Sequence, residues 1–227
     1  MKEILLDGIS VSVIKKPIKN MYIRVLPPDG AVKISAPRAV SDEDVRRFAE
    51  SKIEWIKKQR ESFAHMPGER EREYVTGEYC ELWGHRYRLK VQESDYGNRV
   101  SLSGEELVLR IKGENDAGRR EKVLNEWYRR QMRQAVPALL KKCEGVVGVC
   151  AEEWHIKNMR TRWGTCNVRE KRIWLNLQLA KKPPECLEYV IVHELVHLLE
   201  RNHNKRFYGY MDQFYPGWRE VRRRLNL

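Results

Sequence analysis

The sequence lacks several features, and each absence excludes a class of protein. No stretch approaches the roughly 20 consecutive apolar residues that a membrane-spanning helix needs. The five cysteines are an odd number without CxxC spacing, which argues against a disulfide framework or a cysteine-based zinc ribbon. No Gly-rich phosphate loop, internal repeat or low-complexity segment is evident. We therefore expect a soluble globular protein whose cysteines are reduced thiols in the core.

The chain carries an excess of positive charge. Its 227 residues include 44 Lys and Arg against 32 Asp and Glu, a net charge of +12, and the pI is near 9.5. Such a balance favours anionic partners such as nucleic acid, nucleotides or acidic proteins. Glu is interleaved with Arg and Lys almost everywhere, however, so ordinary solvated helix faces explain most of the charge. Residues 1–7 are too few and too acidic for a signal peptide, and we expect a cytoplasmic protein without a membrane partner.

The first half of the chain is rich in strand patterns. Apolar and polar residues alternate three times within residues 1–36, with a turn predicted at Pro27-Pro28-Asp29-Gly30, and this favours a small antiparallel β unit. Ser41 followed by three acidic residues is a helix N-cap, so a helix over 41–62 is expected to cover that sheet. Alternation resumes from Tyr87 to Ile111. These patterns together predict a β-rich N-terminal region over residues 1–115.

The second half is mainly helical. From Asp116 the apolar period becomes helical, with Pro137 expected to kink or restart the helix. A hairpin is predicted between a strand near Trp154 to Asn158 and a strand from Ile173 to Leu179. Pro183-Pro184 then opens a helix that is apolar nearly all round, as buried helices are. The predicted fold class is α+β, with residues 116–227 as a second domain.

One motif stands out in that buried helix. His193-Glu194-Leu195-Val196-His197 has the HExxH pattern. Two His four apart on an α-helix are rotated by only about 40°, so both imidazoles leave the same face and can hold one metal ion. Glu194 lies on the adjoining face, where it can take a proton from an ion-bound water without being a ligand. The motif is typical of a hydrolytic metal site.

A third ligand is needed to leave one position of a tetrahedral zinc ion open for water. His203 follows His197 by six residues, and a continued helix would carry it about 9 Å further along. The helix must therefore end between them, and Asn202 suits such a turn. Glu220 is an alternative third ligand, because one large class of these enzymes uses a downstream Glu. The other histidines, His65, His85 and His155, have no ligand spacing.

Four segments in this half stand out together: Arg162-Trp163-Gly164-Thr165-Cys166, Ile173 to Leu179, Pro183-Pro184 and His193 to Phe207. They resemble the YgjP-like metal-dependent hydrolases, a branch of the zincin metallopeptidases related to the SprT-like proteases. The resemblance implies a zincin-like C-terminal domain, one Zn²⁺ on His193, His197 and His203, and Glu194 as catalytic base. The family's usual Trp-Gly-Ser-Cys is Trp-Gly-Thr-Cys here, a change that preserves the hydroxyl group.

The leading hypothesis is a zinc-dependent hydrolase of metallopeptidase type, with an extended peptide laid against the strand from Ile173 to Leu179. Arg162 and Tyr208 are candidate contacts to substrate or to an oxyanion, although core packing is the simpler role for Tyr208. A metal-dependent nucleoside triphosphate pyrophosphatase, with a substrate such as UTP, is an alternative that the resemblance also implies. A nucleic-acid-associated module with a structural metal is the third reading, although structural zinc sites normally have four protein ligands.

Overall fold

The computed structural model describes residues 2–26, 30–65 and 72–225, so the turn predicted at Pro27-Pro28-Asp29 lies outside it. The chain forms two compact units, Met1–Arg72 and Glu73–Leu227. The change from strand to helix pattern near residue 115 falls inside the second unit. The reason is that the strands ending at residue 111 and the helix that follows them share one hydrophobic core. Leu89, Leu107 and Leu124 are among its buried members.

The first unit is a four-stranded sheet with two helices. Its strands are β1 (Lys2–Leu6), β2 (Ile9–Lys16), β3 (Tyr22–Leu26) and β4 (Ala31–Pro37), in the order β1-β2-β4-β3. The predicted antiparallel pairing is present between β1 and β2 and between β3 and β4, but the sheet is mixed, because β4 pairs with β2 in parallel. The alternating residues Val11, Val13 and Ile34 form the buried face.

The covering helix is divided into two. Helix α1 (Asp42–Glu50) begins where predicted, since Ser41 Oγ accepts a hydrogen bond of 3.0 Å from the Asp44 N–H. It ends at Ser51, whose Oγ donates back to the Phe48 carbonyl, and α2 (Ile53–His65) follows. The single helix predicted over 41–62 is therefore interrupted. Both helices contribute to one buried apolar stripe, which includes Val45, Ala49 and Ile56.

The second unit begins with another four-stranded sheet. Strands β5 (Tyr79–Leu82), β6 (His85–Glu93), β7 (Arg99–Ser103) and β8 (Glu106–Ile111) lie in the order β5-β6-β8-β7, with β6 and β8 parallel. This is the same order and pairing as in the first sheet. The topology is thus repeated although the sequence shows no repeat, because pairing depends on alternation and turn positions rather than on residue identity.

A long helix, α3 (Ala117–Val147), packs on that sheet. Asp116 caps its start, with Oδ1 accepting a 2.7 Å hydrogen bond from the Arg119 N–H, and Gly148 ends it at φ 79°. Pro137 lies within one continuous helix, so the predicted restart does not occur. All five cysteines are free. Three are buried as expected (Cys80, Cys143 and Cys186), whereas Cys166 is half-buried and Cys150 is exposed.

A three-stranded sheet precedes, in the sequence, the helix that carries the HExxH motif. Its strands are β9 (Glu153–Lys157), β10 (Gly164–Asn167) and β11 (Arg172–Asn176), in the order β10-β11-β9. The predicted hairpin partner is wrong: β9 runs parallel to β11, and β10 makes the hairpin with β11 instead. The strand predicted to reach Leu179 ends at Asn176. A 3₁₀ helix, Leu177–Lys181, follows because Asn176 caps it.

Three helices complete the chain: α4 (Pro184–Val196), α5 (Lys205–Phe214) and α6 (Trp218–Leu225). Helix α4 begins at Pro184 as predicted, and nine of its residues are buried, as expected for a helix enclosed by α3, α5, α6 and β10. The α+β class is confirmed. No described helix is both long enough and apolar enough to cross a membrane.

Candidate metal centre

Helix α4 and the turn after it carry the three histidines of the motif. His193 lies in the last turn of α4, and His197 caps its C-terminus. The chain leaves the helical path there, as the His203 spacing requires, and a new helix begins when Asn204 Oδ1 accepts a 3.0 Å hydrogen bond from the Phe207 N–H. The turn between the two helices thus returns His203 to the first two rings.

The three imidazoles converge on one point. Their ring centroids are 5.0 Å (His193 to His197), 4.9 Å (His193 to His203) and 4.7 Å (His197 to His203) apart. One nitrogen from each ring lies within 4.8 Å of the others, and the Nε2 atoms of His193 and His203 are 2.9 Å apart. Two nitrogens on one tetrahedral Zn²⁺ are separated by about 3.3 Å. The residues therefore fit a zinc ion.

Phe207 forms the floor of this cluster. Its fully buried ring lies 4.9 Å from His193, 4.8 Å from His197 and 4.6 Å from His203, centroid to centroid. One aromatic ring thus packs against all three imidazoles and restricts their rotation. The amino-acid pattern does not indicate this role, because Phe207 has the same helical spacing as any core residue of α5.

The imidazoles are held in the form that binds metal. His197 Nδ1 is 3.2 Å from the carbonyl oxygen of Glu200. A carbonyl can only accept, so Nδ1 carries the proton and Nε2 keeps its lone pair. Burial, together with the nearby rings of His197 and His203, lowers the pKa of His193 to about 3. Burial also lowers the pKa values of His197 and His203, so all three rings are neutral at neutral pH.

Glu194 is the only buried charged residue in the described core. Its side chain is 4 % exposed, and burial raises the pKa of its carboxyl group to about 8, with the Arg162 guanidinium acting in the opposite direction. Gly164, the first residue of β10, faces it directly. A Cβ at Gly164 would lie 2.5 Å from Glu194 Oε1, so only glycine permits this approach of strand and carboxylate.

Asn176 anchors the loop that leads into β10. It is 3 % exposed, and its Nδ2 donates to the carbonyls of Met159 (2.9 Å) and Arg162 (2.7 Å). Its Oδ1 accepts from the Met159 and Gln178 N–H groups. The sequence analysis did not single out Asn176. The only sign of its role was a polar residue between Leu175 and Leu177, where burial requires hydrogen-bond partners.

The cluster opens into a cleft of about 890 Å³. Arg162 lines it, as do Glu194, the three histidines and the partly exposed edge of β10. Tyr208 does not: its ring stacks on Trp218 at 5.4 Å and lies beside His203 at 6.3 Å, so its role as a substrate contact stays a prediction. Tyr189, which the sequence analysis missed, lines the cleft and presents its ring edge to His193 at 5.8 Å.

The remaining candidates lie elsewhere. Glu220 is on α6, where it pairs with Arg223 at 2.9 Å, and it is not part of the histidine cluster. His155 stacks on Trp174 and pairs with Glu153, and His85 is exposed at the start of β6. The side chain of His65 lies outside the described residues. Across the described ranges, His193, His197 and His203 form the one group of three such side chains able to share an ion.

A cluster of three histidines beside a buried carboxylate is the arrangement of a metal-dependent hydrolase. The chain belongs to the YgjP-like family: the model of the YgjP-like metallopeptidase domain matches residues 19–227. Family membership implies a metal cofactor and a peptide or protein substrate, and it confirms the resemblance seen in the sequence.

No curated protein matches the chain. Among solved structures, the zymogen of abylysin, a metallopeptidase of Pyrococcus abyssi, is similar to part of it, with 21 % sequence identity and a TM-score of 0.37. That match covers 40 % of this chain and 90 % of abylysin.

Proposed function

We propose that this protein is a zinc-dependent peptidase in which Glu194 is the catalytic base. The observation that carries the proposal is the convergence of three neutral imidazoles beside one buried carboxylate, at the wall of an open cleft. His193, His197 and His203 would hold the ion. Zinc held by three imidazoles supplies a Lewis acid and lowers the pKa of a water molecule to about 7.

Glu194 moves the proton in this proposal. Burial raises the pKa of its carboxyl group to about 8 in the metal-free chain, and positive charge beside it favours the ionised form that can accept a proton. Its carboxylate takes the proton of the attacking water and delivers it to the nitrogen of the leaving amine. The Arg162 guanidinium lowers the pKa of that carboxyl group and so favours its ionised form. Arg162 also lines the cleft, where it can face a substrate carbonyl.

The peptide is expected to lie along β10 rather than along the strand that the sequence suggested. Strand β11 is paired on both sides, by β10 and by β9, and has no edge to offer. Strand β10 is an edge strand and lines the cleft. The Asn176 N–H donates to the Trp163 carbonyl, so by the alternation of antiparallel pairing Gly164 and Cys166 turn their backbone groups outward. These groups can bind an extended peptide.

The two alternatives receive no comparable support. Nucleotide hydrolysis and nucleic-acid binding are not indicated by the family match, which is to a metallopeptidase domain. A structural metal normally has four protein ligands, whereas the described cluster offers three beside an open cleft. Zinc as the ion, the peptide bond as the target and a cytoplasmic location are parts of the proposal.

The test separates metal binding from catalysis. Glu194→Gln keeps the shape of the side chain but removes the proton acceptor, so the variant should retain its metal while peptide hydrolysis falls by about 100-fold to 10,000-fold. Glu188→Gln is the matched control, since Glu188 lies on the same helix and pairs with Lys142 at the surface. Metal content by mass spectrometry and cleavage of unfolded polypeptides are the readouts. Undiminished hydrolysis in Glu194→Gln would overturn the proposal.

A further inference from the structure

Four arginines line the cleft: Arg162, Arg169, Arg201 and Arg222. All four are exposed. They come from separate parts of the chain, namely the loop before β10, the turn after β10, the turn after α4, and helix α6. Among the described residues that line the same cleft, Glu194 is the only acidic one. A solvated helix face would supply its charges from one element, so the convergence calls for another explanation.

Several arginines elsewhere are paired with carboxylates. Arg172 pairs with Glu153 at 2.6 Å, for example, and Arg46 pairs with Glu50 at 3.2 Å. Within the described ranges, by contrast, none of the ion pairs involves Arg162, Arg169 or Arg201. Arg169 and Arg201 thus have no carboxylate partner among the described ion pairs, and the carboxylate on which Arg162 acts is the buried Glu194.

The arginines surround the reacting centre. Arg162 and Arg169 stand two residues before and two residues after β10, whose four residues span about 13 Å. A peptide along this edge would have one guanidinium near each end of the paired segment. Arg222 lines the same cleft and contributes to the lowered pKa values of His193 and His203, which places its charge near those two rings. Arg201 follows His197 by four residues and lines the same opening.

We propose that the cleft selects acidic peptides, with Asp or Glu side chains on both sides of the bond that is cut. The inference rests on the proposed peptidase function and names its substrate class. Guanidinium groups bind carboxylates through two parallel hydrogen bonds, and an extended strand presents its side chains at intervals that reach such flanking charges. The edge strand favours a peptide over a nucleotide as the carrier of the negative charge, because β10 offers backbone groups for strand pairing.

Binding is measured first, on metal-free full-length protein, so that the result does not depend on turnover. Three fluorescein-labelled peptides share one sequence and differ only in having Glu, Gln or Lys at the flanking positions. Fluorescence anisotropy should give a dissociation constant about 10-fold lower for the Glu peptide than for the Gln peptide. The difference should shrink as salt shortens the Debye length from about 30 Å at 0.01 M to about 3 Å at 1 M.

Variants then assign the preference to the cleft. The double variant Arg169→Gln/Arg201→Gln should reduce the Glu-over-Gln ratio by about 3-fold or more, because two of the four charges are lost. Arg133→Gln is the control, since Arg133 is exposed on α3 and does not line the cleft. Hydrolysis of the same peptides by the metal-loaded protein should rank Glu above Gln above Lys in kcat/KM.

The outcomes separate this inference from the proposed function. Equal binding of Glu and Gln peptides, or a preference that survives the double variant, overturns the inference. The inference is also overturned if the cleft binds a nucleoside triphosphate or an oligonucleotide but binds no peptide. Cleavage without acidic preference overturns the inference alone. A preserved binding preference with no cleavage of any peptide overturns the peptidase function and leaves the preference for acidic peptides standing.

Discussion

Gly164 and Glu194 are in contact across the wall of the cleft: a Cβ at position 164 would lie 2.5 Å from Oε1, 2.8 Å from Cγ and 2.9 Å from Cδ of the glutamate. All three distances are shorter than real carbon contacts allow. The edge strand therefore fixes where the carboxylate lies, and the absent side chain at Gly164 is what permits it. In this way the sheet that is proposed to bind the peptide also positions the proposed catalytic base.

The main effect of Gly164→Ala should be on the rate of peptide hydrolysis, with a smaller effect on the free energy of unfolding. The added methyl group pushes the Glu194 carboxylate out of place, and displacement by about 1 Å can reduce kcat about 100-fold. Metal content should hardly change, because an added Cβ at Gly164 would meet Glu194 and not the three histidines. Gly145→Ala is the control: Gly145 lies in α3 with nothing within 4 Å of a Cβ, so alanine there should stabilise the protein by about 0.5 to 1 kcal/mol. Unchanged kcat in Gly164→Ala would contradict the positioning role.

Asn176→Ala should destabilise the second unit and loosen the cleft loop. The change leaves the carbonyls of Met159 and Arg162 without their donor in a buried site, at a cost of about 2 to 4 kcal/mol. Chemical denaturation measures this cost, and KM should rise because Arg162 is no longer held. Asn98→Ala is matched to it, since the exposed Asn98 accepts one hydrogen bond from the Lys112 N–H. Equal effects of the two variants would show that Asn176 has no special role.

His203→Ala should weaken metal binding by at least about 100-fold, because loss of a direct ligand exceeds the 10-fold to 100-fold cost of losing an outer-shell partner. Competition with a chromogenic chelator measures the affinity, and the added thermal stability given by zinc should shrink in parallel. His155→Ala serves as control, because His155 stacks on Trp174 outside the cluster. Glu220→Ala should also keep full affinity. A loss of metal in Glu220→Ala instead would favour the alternative ligand set.

Local patterns predicted much of the fold, and their failures have a common cause. The N-cap at Ser41, the start of α4 at Pro184 and the end of the helical path before His203 all depend on neighbours within a few residues, and these predictions are confirmed. The parallel pairing of β2 with β4 and the true hairpin partner of β11 depend on residues far apart in sequence. Alternation reports that a strand has two faces, but it does not report which strand lies beside it.

By itself, the sequence determined which residues are candidates for the chemistry: the HExxH spacing on a helix, the third histidine after a turn, and the membership of the YgjP-like family that the comparison confirms. The tertiary structure alone decided what surrounds them. It placed Phe207 under the three rings, Gly164 against Glu194, and β10 rather than β11 at the open edge. The physical reason is range: helical spacing fixes neighbours along one element, whereas burial, close packing and edge exposure arise only when separate elements meet.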